Sequence, residues 1–116
     1  MWKIYYCPPS GENNSPYEEI INFGNPLAAR VFNQLELNAV YDSTNEWVGS
    51  VKQITHRKEK WLQWTWSQIR IHFVLFHNTK KIVILNAFLK KSNKTKILNL
   101  KRTYNNLLKL DLYELD

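Results

Sequence analysis

Residues 61–89 read WLQWTWSQIRIHFVLFHNTKKIVILNAFL, and this stretch decides the fold. It is rich in β-branched and aromatic residues and is cut twice by turn-forming pairs. Trp61–Trp66, Gln68–Phe76 and residues 81–89 therefore read as three strands. Ser67-Gln68 and Asn78-Thr79-Lys80 are the turns between them. Connections this short force antiparallel neighbours. Alternate side chains in a strand point to opposite faces. In the middle strand Ile69, Ile71, Phe73 and Leu75 make an apolar face, and Arg70, His72, Val74 and Phe76 a mixed one. In the third, Val83, Leu85, Ala87 and Leu89 read as the apolar set, and Ile82, Ile84, Asn86, Phe88 and Lys90 as the mixed set. If the apolar faces share a core, Arg70, His72, Asn86 and Lys90 collect on one open sheet surface.

Before this stretch, residues 2–7 (WKIYYC) read as another strand, closed by Pro8-Pro9. Ser15-Pro16-Tyr17-Glu18 is a helix start, with a capping serine, proline in the first turn and a glutamate placed to complete a capping box. Gly24 ends that helix, and Asn25-Pro26 repeats the start signal. Leu27, Val31 and Leu35 then recur one helical turn apart, which predicts a second helix over about 26–40 and hence a helical hairpin. Residues 42–50 read as loop, 51–54 as the start of an edge strand, and 56–60 as a charged turn. After the strands, residues 90–96 read as a basic loop. Thr95 is placed to cap a last helix whose face would be Ile97, Leu100, Tyr104, Leu107 and Leu108. The expected fold class is α+β, a single domain over 1–116, in the order β-α-α-β-β-β-α. It has an antiparallel-rich sheet, the helical hairpin on one face and a basic open face on the other.

The chain has 116 residues, 44% apolar and 22% charged, with five Trp, six Tyr and five Phe. That composition supports one packed core. The formal charge of +6 is unevenly placed: residues 1–51 carry −4, residues 52–109 carry +13 and residues 110–116 carry −3. Such a block creates a strong positive field and points to a polyanion. A solvated lysine-rich surface is the plainer alternative. Cys7 is the only cysteine, so an internal disulfide and a cysteine-based zinc site are excluded. The three histidines lack ligand spacing, and only Glu59 is acidic within residues 52–109, so no metal site is expected. The three glycines form no phosphate loop, and no cofactor is expected. No run approaches the ~18 apolar residues of a membrane span. The opening Met1–Pro8 is strand-like rather than an apolar leader, so the expected compartment is the cytoplasm.

Basic groups interleaved with rings suit single-stranded RNA, because cations hold phosphates and rings stack bases. Lys52, Arg57, Lys58, Asn86, Phe88, Lys91 and Lys94 are the expected RNA-binding side chains. If the face cleaves RNA, Arg70 and Lys90 would hold the phosphate, and His72 is the residue able to move a proton near neutral pH. A lone strand histidine with a purely structural part is the competing reading.

Residues 84–95, ILNAFLKKSNKT, resemble the strand-and-loop signature of the phage-derived HigB-like toxins in the RelE/ParE superfamily. Ala87, Phe88, Lys90, Lys91, Lys94 and Thr95 carry the match. Ser15-Pro16 resembles the start of the family's first helix, and Arg70 matches the arginine of the strand before the signature. Asn86 stands where the family often has histidine, and Lys96 where it has proline. Gln63-Trp64-Thr65-Trp66 stands where a Glu-Leu-Arg triplet is usual, so one arginine of the pattern is absent. The resemblance implies a RelE-like fold and the toxin of a type II toxin–antitoxin system. It implies a metal-independent endoribonuclease cleaving ribosome-associated mRNA, with a small helix-turn-helix antitoxin as partner. Two alternatives stay open: a non-enzymatic ParE-like inhibitor of gyrase, and a decayed phage protein that only binds a partner.

Overall fold

A computed structural model describes residues 1–91 and 93–113, with side chains described for 1–91 and 96–110. Its elements are β1 (Lys3–Tyr6), α1 (Pro16–Asn22), α2 (Leu27–Asn38), β2 (Ser50–His56), β3 (Glu59–Trp66), β4 (Ile69–Phe76), β5 (Lys81–Leu89) and α3 (Asn93–Tyr113). The strands form one five-stranded sheet in the order β1-β5-β4-β3-β2. The four consecutive strands β2 to β5 are antiparallel, while β1 pairs with β5 in parallel after the chain has crossed through both helices. The α+β class and the antiparallel-rich sheet agree with the sequence. The element order needs one correction: β2 is a full strand of seven residues, so the second half of the chain holds four strands, not three. Its turn into β3 is tight, because Arg57 and Lys58 both take positive φ, 50° and 69°. This pairing geometry fits the right-handed twist of the flanking strands.

The α1–α2 hairpin forms as its punctuation dictates. Ser15 Oγ accepts from the Glu18 amide at 3.2 Å, and Glu18 Oε1 accepts from the Ser15 amide at 3.1 Å. Gly24 sits at φ +84°, where a side chain is disfavoured, and separates the two helices. Ile20, Ala28, Val31 and Leu35 then pack against Ile69, Ile71, Phe73, Ile82, Ile84 and Ala87 of the sheet. Burying each large apolar side chain contributes about 1.5–3 kcal/mol. Trp47 stacks on Phe73 at 5.0 Å and meets Trp64 edge-on. The Trp64 indole N–H donates to the Val48 carbonyl at 2.6 Å. The 42–50 segment is thereby pinned onto the core.

A β-bulge corrects the expected register of β5. His72 pairs with Asn86, but Phe73 pairs with Ile84, so Leu85 is an extra residue. An inserted residue breaks the two-residue alternation of a strand. Ile82 and Ile84 therefore join Ala87 and Leu89 beneath the hairpin, while Val83 and Leu85 turn to the opposite face. The β4 faces are as the alternation predicts.

The opposite face is not fully open. α3 lies across part of it, and it begins at Asn93, inside the stretch expected to be loop. Leu100, Tyr104 and Leu107 of α3 pack with Trp61, Val83 and Leu85. Ile97 and Leu108, expected on the same face, point outward at 68% and 38% exposure. Their places are taken by Asn99, Thr103 and Asn106, all buried. The Thr95 side chain, expected to cap this helix, lies outside the described residues. Among the described residues no helix is long and apolar enough to cross a membrane.

Candidate nucleic-acid interface

The part of the sheet that α3 leaves uncovered is a cleft of about 550 Å³. Two cross-strand rows underlie it. Ser50, Thr65, Arg70 and Phe88 are successive partners across β2 to β5, and Lys52, Gln63, His72 and Asn86 form the row beside them. Both rows point to the α3 side, because they alternate with residues of the hairpin core. Lys90, Lys91, Lys96 and Leu100 complete the walls. Five cations, Lys52, Arg70, Lys90, Lys91 and Lys96, thus line one cleft, and among the described residues no carboxylate does. A concave site lined by one sign of charge concentrates counter-ions of the other.

Arg70 is set for recognition. Its Nη1 donates to the Ser67 carbonyl at 2.7 Å and to the Ile69 carbonyl at 2.9 Å. Those bonds fix the guanidinium at the β3–β4 turn, where Ser67 takes φ 55°. The remaining edge of the planar group can meet two oxygens of one phosphate. Phe88, its partner on β5, is half-buried and meets the edge of the His72 ring at 5.1 Å and 89°.

His72 lies under the floor, 1% exposed. Its Nδ1 is 2.6 Å from Thr103 Oγ1 and its Nε2 is 2.9 Å from Gln63 Oε1. Gln63 Nε2 donates to Thr65 Oγ1 at 3.2 Å, so Gln63 Oε1 is free to accept. The imidazole is then neutral with its proton on Nε2, and Thr103 donates to Nδ1. Burial, and secondarily the charge of Lys52, push its pKa down to about 3. This corrects the picture of His72 as an open-surface residue: a group held neutral this way has no charge change near neutral pH.

Asn86 is likewise buried, 1% exposed, rather than open. Its amide donates to Asn99 Oδ1 at 3.0 Å, and Asn106 of α3 donates to the Leu85 carbonyl at 2.8 Å. Asn99, Thr103 and Asn106 thus seat α3 on the sheet through a polar seam. Buried polar groups are costly unless paired, so each contact also fixes position.

The structure brings together Lys52, Arg70, Phe88, Lys90 and Lys91 of the side chains expected to act on RNA. It does not bring Arg57 or Lys58 to them. Both occupy the β2–β3 turn, with the Arg57 guanidinium 5.6 Å from the Tyr104 ring centroid. The Lys94 side chain lies outside the described residues. Sequence reasoning missed Ser50, Gln63, Thr65 and Lys96. The first three follow once β2 is read as a strand in register with β3. Among the described residues no cluster of His, Cys, Asp or Glu is arranged to hold a metal ion.

No protein-family model matches the chain, and no curated protein matches it.

Proposed function

We propose that this cleft holds the phosphate backbone of single-stranded RNA and that the chain is a translation-inhibiting toxin of the RelE/HigB type. The observation that carries the reading is the convergence of Lys52, Arg70, Lys90, Lys91 and Lys96 on one concave surface beside Phe88. Cations neutralise phosphates, and a half-buried ring gives a base a stacking partner. The substrate is ribosome-associated mRNA, the compartment is the cytoplasm, and the neutralising partner is a small helix-turn-helix protein. These three statements rest on the resemblance of residues 84–95.

Cleavage at this site proceeds by attack of a ribose 2′-OH on the adjacent phosphate, forming a 2′,3′-cyclic phosphate as the bond to the 5′-oxygen of the next nucleotide breaks. Solvent water takes the 2′-OH proton and protonates the leaving oxygen. Arg70 and Lys90 stabilise the charge that builds on the phosphoryl oxygens. The deprotonation of the 2′-OH does not fall to His72, whose imidazole is engaged on both nitrogens. That engagement favours one second reading, a chain that occupies RNA and blocks translation without cutting it.

Lys90→Glu combined with Lys91→Glu tests the site. The double variant should bind a uridine hexamer at least tenfold more weakly than the parent at low salt, and the parent's affinity should fall steeply as salt rises. Equal binding by the two proteins would remove the cleft from the account. Induction of the parent in a bacterial host, with mRNA 5′ ends mapped, then separates cutting from blocking. New internal 5′ ends support cleavage, and arrested translation with intact mRNA supports the second reading.

A further inference from the structure

A second cleft, of about 330 Å³, adjoins the first, and Phe88 and Lys91 line both. Its chemistry differs. Phe23, Leu89 and Leu98 give it apolar walls, and Glu19 brings a carboxylate. Leu98 is 69% exposed, an unusual position for a leucine with no described cover. Arg102 reaches Glu19 Oε1 at 3.4 Å and Asn13 Oδ1 at 3.2 Å, which ties α3 to α1 at the rim. Glu19, paired on one oxygen with Arg102 and standing beside Lys91, offers a flat group bearing N–H donors an acceptor between apolar walls.

We infer that the second cleft is a nucleobase pocket for the strand whose phosphate lies in the first, and that Glu19 selects guanine. This deepens the RNA reading and rests on it. Guanine carries two donors side by side, N1–H and the N2 amino group, and a carboxylate accepts two parallel hydrogen bonds. Uracil presents one such donor between two carbonyl oxygens, which the carboxylate repels. Leu98 and Phe23 flank the plane of the base, and Phe88 and Lys91 form the saddle over which the backbone passes from one cleft to the other. Unstacked bases of single-stranded RNA are read in this manner, on their Watson–Crick edges between apolar side chains.

The test compares three labelled heptamers by fluorescence anisotropy: seven uridines, the same strand with one central guanosine, and the same strand with inosine in its place. The strand can slide, so the guanosine finds the pocket wherever the register falls. The parent should bind the guanosine strand roughly tenfold more tightly than the uridine strand. Inosine lacks the N2 amino group and should bind with intermediate strength. Glu19→Gln should bring the three strands to within about twofold of one another, whatever its effect on overall affinity. Arg70→Ala should weaken all three alike. Equal binding of the three strands by the parent, or a guanosine preference that survives Glu19→Gln, overturns the pocket and leaves the phosphate cleft standing. No binding of any strand by the parent overturns both. The inosine comparison needs no variant, so a Glu19→Gln protein that failed to fold would not shield the inference.

Discussion

Arg70→Ala is expected to lower affinity for single-stranded RNA by roughly 10- to 100-fold and to relieve growth arrest on induction, with the folded state intact. The magnitude is that of one or two hydrogen bonds between charged groups, about 1.5–3 kcal/mol. Arg70 sits in the row Ser50–Thr65–Arg70–Phe88, and two backbone carbonyls orient it before any ligand arrives. Little side-chain entropy is therefore lost on binding. Arg70→Lys keeps the charge but loses the planar fork, so its affinity should fall between those of the parent and the alanine variant. The side chain is only partly buried and, among the described residues, makes no ion pair, so thermal unfolding of Arg70→Ala should stay close to that of the parent. RNA affinity unchanged in the alanine variant would contradict the assignment. DNA breaks with intact mRNA on induction of the parent would instead favour a gyrase-directed toxin.

The second large effect is on stability in acid. The folded chain holds His72 neutral down to about pH 3, whereas the ordinary imidazole value is 6.5. The unfolded chain therefore binds a proton that the folded chain refuses. Stability is complete above about pH 6.5 and is lost as pH falls from there toward 3, by about 1.4 kcal/mol for each unit. Between pH 7 and pH 5 the parent should lose about 2 kcal/mol from this residue alone, read as a lower urea midpoint. His72→Gln has no such proton to take up, so its pH dependence over that range should be flatter by the same amount. Identical slopes for the two proteins would show that the imidazole is not held neutral. The loss has a structural address, since protonation breaks the acceptor role of Nδ1 toward Thr103 and loosens α3.

Much of the sheet was legible because its signals are local. The β4 faces follow from simple alternation, and Ser15, Glu18 and Gly24 mark α1 by chemistry confined to one turn. The bulge at Leu85 was not legible. An apolar strand buried on both faces shows no change of period when one residue is inserted, so Val83 and Leu85 read as partners of Ala87. The buried face of α3 was misread for a related reason. Its buried face is half polar, and Asn99, Thr103 and Asn106 have meaning only opposite His72, Asn86 and the Leu85 carbonyl. The exposed Ile97 and Leu108 drew the expected face toward solvent instead.

The cationic site fared better, because charge has to stay near water. Arg70 and Lys90 flank the end of the sheet that α3 leaves bare, on the face where the alternation placed them, and Lys91 of the expected basic loop lies beside them. Lys52 joined them only because β2 is a strand in register with β3. Arg57 and Lys58 belonged to the same basic block in sequence but were carried away by the β2–β3 turn. A charge block in the sequence shows where cations are plentiful, while the strand register decides which of them share one cleft.

RNA is expected to lie in the cleft on the α3 side of the sheet. Amide chemical shifts of the ¹⁵N-labelled chain, followed during titration with a uridine hexamer, test it most directly. The largest changes should fall at Lys52, Thr65, Arg70, Phe88, Lys90 and Lys91, with residues 27–38 of α2 unmoved. Changes centred on the α1–α2 hairpin, or none at all at saturating RNA and low salt, would contradict it.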